Sequence, residues 1–196
     1  MPLLGLDFDN TLVRYDKLFH QLAVEKGLIE KSLPADKTAI RDYLRSKGED
    51  EQFTLMQDEV YGRRILDAEP AEGMLKALHE LNERGITMVL VSHKTRTPYK
   101  GPSYNLHKAA LQWLEKHNFF CKPGLGWSKK NIFFEETFDS KIKRIKDLKC
   151  THFVDDLPEV INKLPESTQG IHFCPDNQKQ SQHMHISHWK QLKYLL

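Results

Sequence analysis

Cysteine is scarce in this chain: there are three, Cys121, Cys150 and Cys174, with no C-x-x-C spacing among them. That excludes a disulfide scaffold or a zinc ribbon and fits a reducing, cytoplasmic compartment. Long apolar runs are also missing. The longest apolar-rich stretch, Ile86 to Val91, falls far short of the about 18 residues that suggest a membrane span, so no membrane partner is expected. Charge of one sign is not in surplus either. A formal net charge of +2 gives no reason to expect nucleic acid as an obligatory partner. The opening Met1–Leu6 carries no basic leader and runs into Asp7, which is not the pattern of a secretory signal. There is no internal repeat and no low-complexity tract.

What is present is a globular composition, 39% hydrophobic and 29% charged over 196 residues. That is about one domain, with room for a modest insert. Short β-rich runs alternate with helix-period segments, the pattern of a parallel sheet with helices on its faces. Strands are predicted at about Leu3–Phe8, Ile86–Val91, Asn131–Phe134, His152–Val154 and Gly170–Phe173. Helices are predicted from Met74 to Arg84, Ser103 to His117, Ser140 to Leu148 and Pro158 to Leu164. In the third of these, Ile142, Ile145 and Leu148 form the apolar face, and Asp139-Ser140 is the expected N-cap. The segment Asp16–Glu69 breaks the alternation. It shows no strand, only helical stripes such as Leu18, Phe19, Leu22, Ala23 and Ala39, Ile40, Tyr43, Leu44. It reads as a helical insert between the first strand and the rest of the sheet.

Four polar clusters stand at predicted strand ends. In Leu6-Asp7-Phe8-Asp9-Asn10-Thr11 the alternation of a strand sends Asp7 and Asp9 to one side. Two carboxylates held there repel unless a cation lies between them, and Mg²⁺, which takes oxygen ligands, would serve. An Asp can attack phosphorus while a second carboxyl handles the leaving proton. The same Asp-Asn-Thr also suits a plain turn or helix cap. Ile86–Val91 stops at Ser92-His93-Lys94-Thr95, where a hydroxyl and free amides can hold phosphate oxygens, or simply cap a turn. Lys141 falls in the first turn of its predicted helix, where a cation opposes the helix dipole unless its charge is used elsewhere. Its neighbours Lys143 and Lys129 are alternatives. Finally, His152–Val154 leads straight into Asp155-Asp156, two adjacent acids of which capping accounts for one.

These clusters share the carboxyl edge where open α/β sheets place ligands. With them the chain resembles the haloacid dehalogenase superfamily, in its phosphatase branch. Asp7-x-Asp9-x-Thr11 matches the first motif, Ser92 the second, Lys141 the third and Asp155-Asp156 the acidic fourth. The likeness covers about residues 1–15 and 70–173, and the insert looks like that family's small helical cap. It implies an α/β, Rossmann-like core of residues 1–15 and 70–196 with helices on both faces, and a cap of residues 16–69.

It further implies a Mg²⁺-dependent phosphomonoester hydrolase acting on a small phosphorylated metabolite through an aspartyl-phosphate. Asp7 is then nucleophile and metal ligand, and Asp9 is the acid/base, reaching the metal through its main-chain carbonyl. Asp155 and Asp156 complete the metal site. Thr11, Ser92, His93 and Lys141 are the phosphate- or substrate-binding candidates. A phosphomutase shares these residues, and a catalytically idle binding module is the alternative from another class. A dehalogenase would need neither Asp9 nor a metal. The insert, leaving the core just after Asp9, is expected to act as a lid.

Other features are set aside. His183-x-His185-x-x-His188 lacks a partner set and reads as surface histidines. The polar stretch Lys94–Pro102 is expected to be a loop near the site. Phe119, Phe120 and Trp127 read as packing residues.

Overall fold

The computed structural model of the chain describes residues 2–100, 104–175 and 183–196. By its internal contacts the chain forms two compact units, one of residues 1–13, 70–95 and 118–196, the other of residues 14–69 and 96–117. Among the described residues no helix is long and apolar enough to cross a membrane.

The first unit is built on a six-stranded parallel sheet. Its strands are β1 (Leu3–Leu6), β4 (Thr87–His93), β5 (Ile132–Glu135), β6 (His152–Asp155), β7 (Gln169–Phe173) and β8 (His185–Ile186), in the order β5-β4-β1-β6-β7-β8. Two-residue β2 (Val13–Arg14) and β3 (Glu69–Pro70) make a separate small sheet. Strand β1 lies at the centre, with Leu6 in register with Leu90 of β4 and Val154 of β6. Buried on both faces, such strands read as continuous apolar runs, which is why their pattern is legible. Gly5 permits the closest approach in this layer. A Cβ there would run into the Phe153 ring and sit 3.1 Å from Cys150 Sγ.

Helices α6 (Phe138–Asp147) and α7 (Pro158–Lys163) flank the sheet, and α4 (Met74–Glu83) packs on the turn Trp189–Tyr194. Ile145 of α6, Val160 of α7 and Phe153, Val89 and Val91 of the sheet form one buried cluster, with Ile142 and Leu148 packed against it. The five strands predicted from pattern are all present. The sixth, β8, escapes prediction because it is two residues long in a polar setting. Only Ile186 of it is buried, yet the chain beyond it adds Trp189 to the core, 5.4 Å from the Phe173 ring.

One boundary differs in a way that matters. The N-cap of helix α6 lies two residues before the predicted Asp139. Thr137 is the N-cap, accepting from Ser140 N–H at 3.1 Å, while the Ser140 hydroxyl accepts from Thr137 N–H at 3.2 Å. This reciprocal pair outcompetes Asp139-Ser140 as a start. Lys141 therefore lies beyond the first three helical positions, and it is buried rather than turned to water with its basic neighbours.

The second unit is helical: α1 (Asp16–Glu25), α2 (Lys37–Ser46), α3 (Asp50–Tyr61) and α5 (Leu106–Lys116). Leu18, Phe19, Leu22 and Ala23 are buried as their stripe predicts, along with Ile40 and Leu44 of the second stripe. Phe19 stacks on Phe53 at 5.5 Å. Helix α5 corrects the domain expectation, because from sequence it looks like a crossover helix of the sheet. Its Trp113 instead donates its indole N–H to the Ala68 carbonyl at 2.9 Å, and α5 packs on α3 and on the turn Ile65–Asp67. Asp58 of α3, itself buried, accepts from the backbone N–H groups of Tyr99 and Lys100 at 3.2 and 2.9 Å. The chain between β4 and α5 is thus tied to the helical unit, and residues 96–117 leave the core assigned to them.

Candidate active site

The site grows out of the end of β1. Asp7 continues the ladder by donating its N–H to the Val154 carbonyl at 3.0 Å, and then the chain turns sharply. Leu12 and Val13 both donate back to the Phe8 carbonyl, at 3.0 and 3.1 Å. Asn10 takes φ +59°, a left-handed conformation that Asn tolerates better than most residues. The turn reading of Asp-Asn-Thr therefore holds as geometry, and the turn delivers side chains. The buried Thr11 hydroxyl lies 3.3 Å from Asp7 Oδ2 and 3.4 Å from Asp156 Oδ1. Phe8 is buried and set edge-on to Phe134.

Lys141 enters from α6. Its Nζ lies 2.6 Å from Asp7 Oδ1 and 2.6 Å from Asp155 Oδ2, so one ammonium joins two strand ends. Its side chain is 2% exposed. Burial by itself would lower the Lys141 pKa, but the charges of Asp7 and Asp155 outweigh it and hold the group above the ordinary lysine value. Lys143, by contrast, is exposed and pairs with Asp147 on the surface. Of the candidate lysines, it is Lys141 that the fold brings to the acids.

Asp155 and Asp156 stand at the end of β6. Asp155 Oδ1 accepts from Leu157 N–H at 2.9 Å, and His172 Nε2 is 3.1 Å from the Asp156 carbonyl. Burial, followed by the charge of Asp7, pushes the Asp155 carboxyl up to about 7 against the pull of Lys141. Burial and the charges of Asp7 and Asp155 also hold Asp156 well above the usual carboxylate range. These are the marks of acids crowded together with too little positive charge. Asp7, Asp155 and Asp156 can each aim an oxygen to within 4.8 Å of the others. Among the described residues this is the only group of His, Cys, Asp or Glu so placed. Its donors are all hard oxygens, which suits Mg²⁺.

Strand β4 supplies the remaining wall. Ser92 Oγ is buried with no hydrogen-bond partner among the described residues. His93 corrects the expectation, for it faces the other way, exposed, with Nε2 3.2 Å from the Glu136 carbonyl. Alternation along β4 accounts for this: residues 92 and 94 share a side and residue 93 does not. The same alternation carries in a residue that the motif pattern misses. Lys94 is buried, and its Nζ reaches both carboxylate oxygens of Asp9, at 3.0 and 2.9 Å. The signal for it was the i, i+2 spacing from Ser92. Asp9 itself lies outside the three-acid group. Of the features set aside, His185 is exposed, and Phe119 and Trp127 pack edge to face at 5.2 Å. Arg63 and Arg64 are ion-paired within the helical unit, to Glu59 and to Glu25 and Asp67.

No family model matches the chain, and no curated protein matches it by sequence. Solved structures do. A haloacid dehalogenase-superfamily hydrolase of subfamily IA from Geobacter sulfurreducens superposes with a TM-score of 0.57 at 13% identity, covering 100% of this chain and 96% of that one. A haloacid dehalogenase-family hydrolase from Deinococcus radiodurans, solved with bound phosphate and sodium, gives 0.60 at 10% identity, covering 100% and 94%. A dehalogenase solved as an intermediate complex also gives 0.60 at 10%, covering 100% and 97%. At such identities the likeness is one of fold, and the fold is the α/β, Rossmann-like fold of the haloacid dehalogenase hydrolases.

Proposed function

We propose that the chain is a Mg²⁺-dependent phosphomonoester hydrolase that acts on a small phosphorylated metabolite through an aspartyl-phosphate on Asp7. The observation that carries this reading is the Lys141 ammonium set between Asp7 and Asp155, within a group of acids that also binds the Thr11 hydroxyl. Asp7, Asp155 and Asp156 would hold the Mg²⁺, whose part is to neutralise charge on the phosphoryl oxygens. The main-chain carbonyl of Asp9 is assigned to the same ion by family resemblance.

In the first step Asp7 Oδ bonds to phosphorus as the ester P–O bond breaks, and the Asp9 carboxyl gives its proton to the leaving oxygen. In the second, water attacks phosphorus, its proton passes to Asp9, and the Asp7–phosphorus bond breaks to release inorganic phosphate. Lys141 and the Ser92 hydroxyl hold the phosphoryl oxygens in line. Asp9 favours this chemistry over dehalogenation, which has no leaving oxygen to protonate. The helical unit takes the part of the cap, in substrate selection. The three cysteines, none in a disulfide, suit a cytoplasmic setting.

The test is phosphate release over a panel of phosphorylated metabolites and an aryl phosphate, with Mg²⁺ and with excess EDTA. Metal-dependent release is expected. Full turnover in EDTA, or release from no substrate at all, would overturn the reading.

A further inference from the structure

Lys94 belongs to no motif of the resemblance, yet it is among the most confined cations of the molecule. Its side chain is 4% exposed, and its Nζ lies 5.4 Å from the centroid of the Phe8 ring. That ring is itself set edge-on to Phe134. The root of Lys94 is fixed as well, because its N–H donates to the Glu135 carbonyl at 2.8 Å and extends the β4–β5 ladder. From this rigid base the ammonium reaches both oxygens of Asp9.

The two buried lysines thus sort the acids. Lys141 binds Asp7 and Asp155, and Lys94 binds Asp9, whose side chain is 24% exposed and stands apart from the three acids that can share an ion. A carboxylate two residues from Asp7 would otherwise be free to turn toward any cation held by its neighbours. An Asp captured in that way could not serve the leaving group.

We infer that Lys94 is a positioning residue that keeps the Asp9 carboxylate out of the metal-binding group and turned toward the leaving oxygen and the attacking water. The inference rests on the phosphomonoesterase reading. Lys94 neither gains nor loses a proton in the cycle: with one Asp9 oxygen kept on the ammonium, the other passes the proton out in the first step and takes one back in the second.

The experiment compares wild type, Lys94→Met, Lys94→Arg and the pair Asp9→Asn and Asp9→Asn/Lys94→Met on two esters. Glycerol 2-phosphate has a leaving group that must be protonated; 4-nitrophenyl phosphate has one that departs without a proton. In Lys94→Met, kcat/KM, which reports the first step, should fall about 100-fold on the glycerol ester and less than about tenfold on the aryl ester. Lys94→Arg, which keeps the charge and most of the volume, should show the same order of sensitivity at smaller size, and it carries the test should the Met variant fail to fold. In the Asp9→Asn background, loss of Lys94 should add less than about twofold, since a residue acting through Asp9 has nothing further to lose. Mn²⁺ binding to the substrate-free protein, followed by electron paramagnetic resonance, should not weaken in Lys94→Met.

Equal losses on the two esters, a further large loss in the Asp9→Asn background, or weakened Mn²⁺ binding would each overturn the inference while leaving the function standing. A wild type that cleaves neither ester would overturn the function, and the inference with it.

Discussion

In the sheet-bearing unit Asp7, Lys94, Lys141 and Asp155 are all buried; Lys141 bonds to Asp7 and Asp155, and Lys94 to Asp9, between segments far apart in sequence. In the helical unit the buried charged residue among the described residues is Asp58, and its oxygens accept from two backbone N–H groups. Other charges of that unit pair at its surface, such as Arg45 with Asp50 and Lys17 with Glu69. Burying paired charge is at best neutral for stability compared with apolar packing. A cluster of six ionisable groups at the edge of one sheet is therefore better explained by chemistry than by folding. A buried carboxylate that accepts from backbone donors has a structural explanation, which is that it fixes a loop.

Substitutions can sharpen this contrast. The largest effects should fall in the sheet-bearing unit. Asp7→Asn should lower phosphate release by at least about 1,000-fold, since an amide does not attack phosphorus. Lys141→Ala should cost a similar factor in kcat/KM, whereas Lys143→Ala, on the exposed side of the same helix, should stay within about twofold. Steady-state kinetics on folded variants reads all three, and an inverted order for the lysines would break the assignment of Lys141.

An intermediate effect should mark the helical unit. Asp58→Ala strands the Tyr99 and Lys100 N–H groups and should cost about 1–2 kcal/mol, lowering the thermal midpoint by about 2–8 °C for a chain of this size. Calorimetry reads this loss. A kinetic collapse on aryl phosphate with unchanged stability would show that the comparison of the two units is misdrawn.

The smallest effect concerns pH. Asp155 is pushed up to about 7 by burial and by Asp7, so between its unfolded value near 4 and 7 the native state holds more protons than the unfolded one. Stability from this group is complete below about pH 4 and is lost as pH rises through about 7. Metal-free protein should accordingly melt a few degrees lower at pH 8 than at pH 5.5. Asp155→Asn should flatten that slope, and an unchanged slope in the variant would assign it to other groups.

Much of this was legible in one dimension. Ile86–Val91 and His152–Val154 read as buried strands because apolar runs of that length fit few other roles, and the acids at their ends are conspicuous for the same reason. Helix α5 misleads because a helix between two strands looks the same whether it covers the sheet or packs elsewhere. The carbonyl that its Trp113 indole binds, that of Ala68, lies 45 residues away in sequence. His93 and Lys94 are placed by a local rule, the two-residue alternation of β4, which sets Lys94 on the side of Ser92 and His93 on the other.

The order of strands and helices, the acid pairs at strand ends and the apolar stripes of α1 and α2 follow from residue type and spacing, because these govern local backbone preference and which face seeks burial. Which lysine reaches the acids, which acid is held apart and which unit claims residues 96–117 were settled in three dimensions. Those outcomes depend on contacts between distant segments. Lys141 and Asp7 are 134 positions apart, and the packing of α6 on β4 and β5, with β1 paired to β4, brings their charges to 2.6 Å.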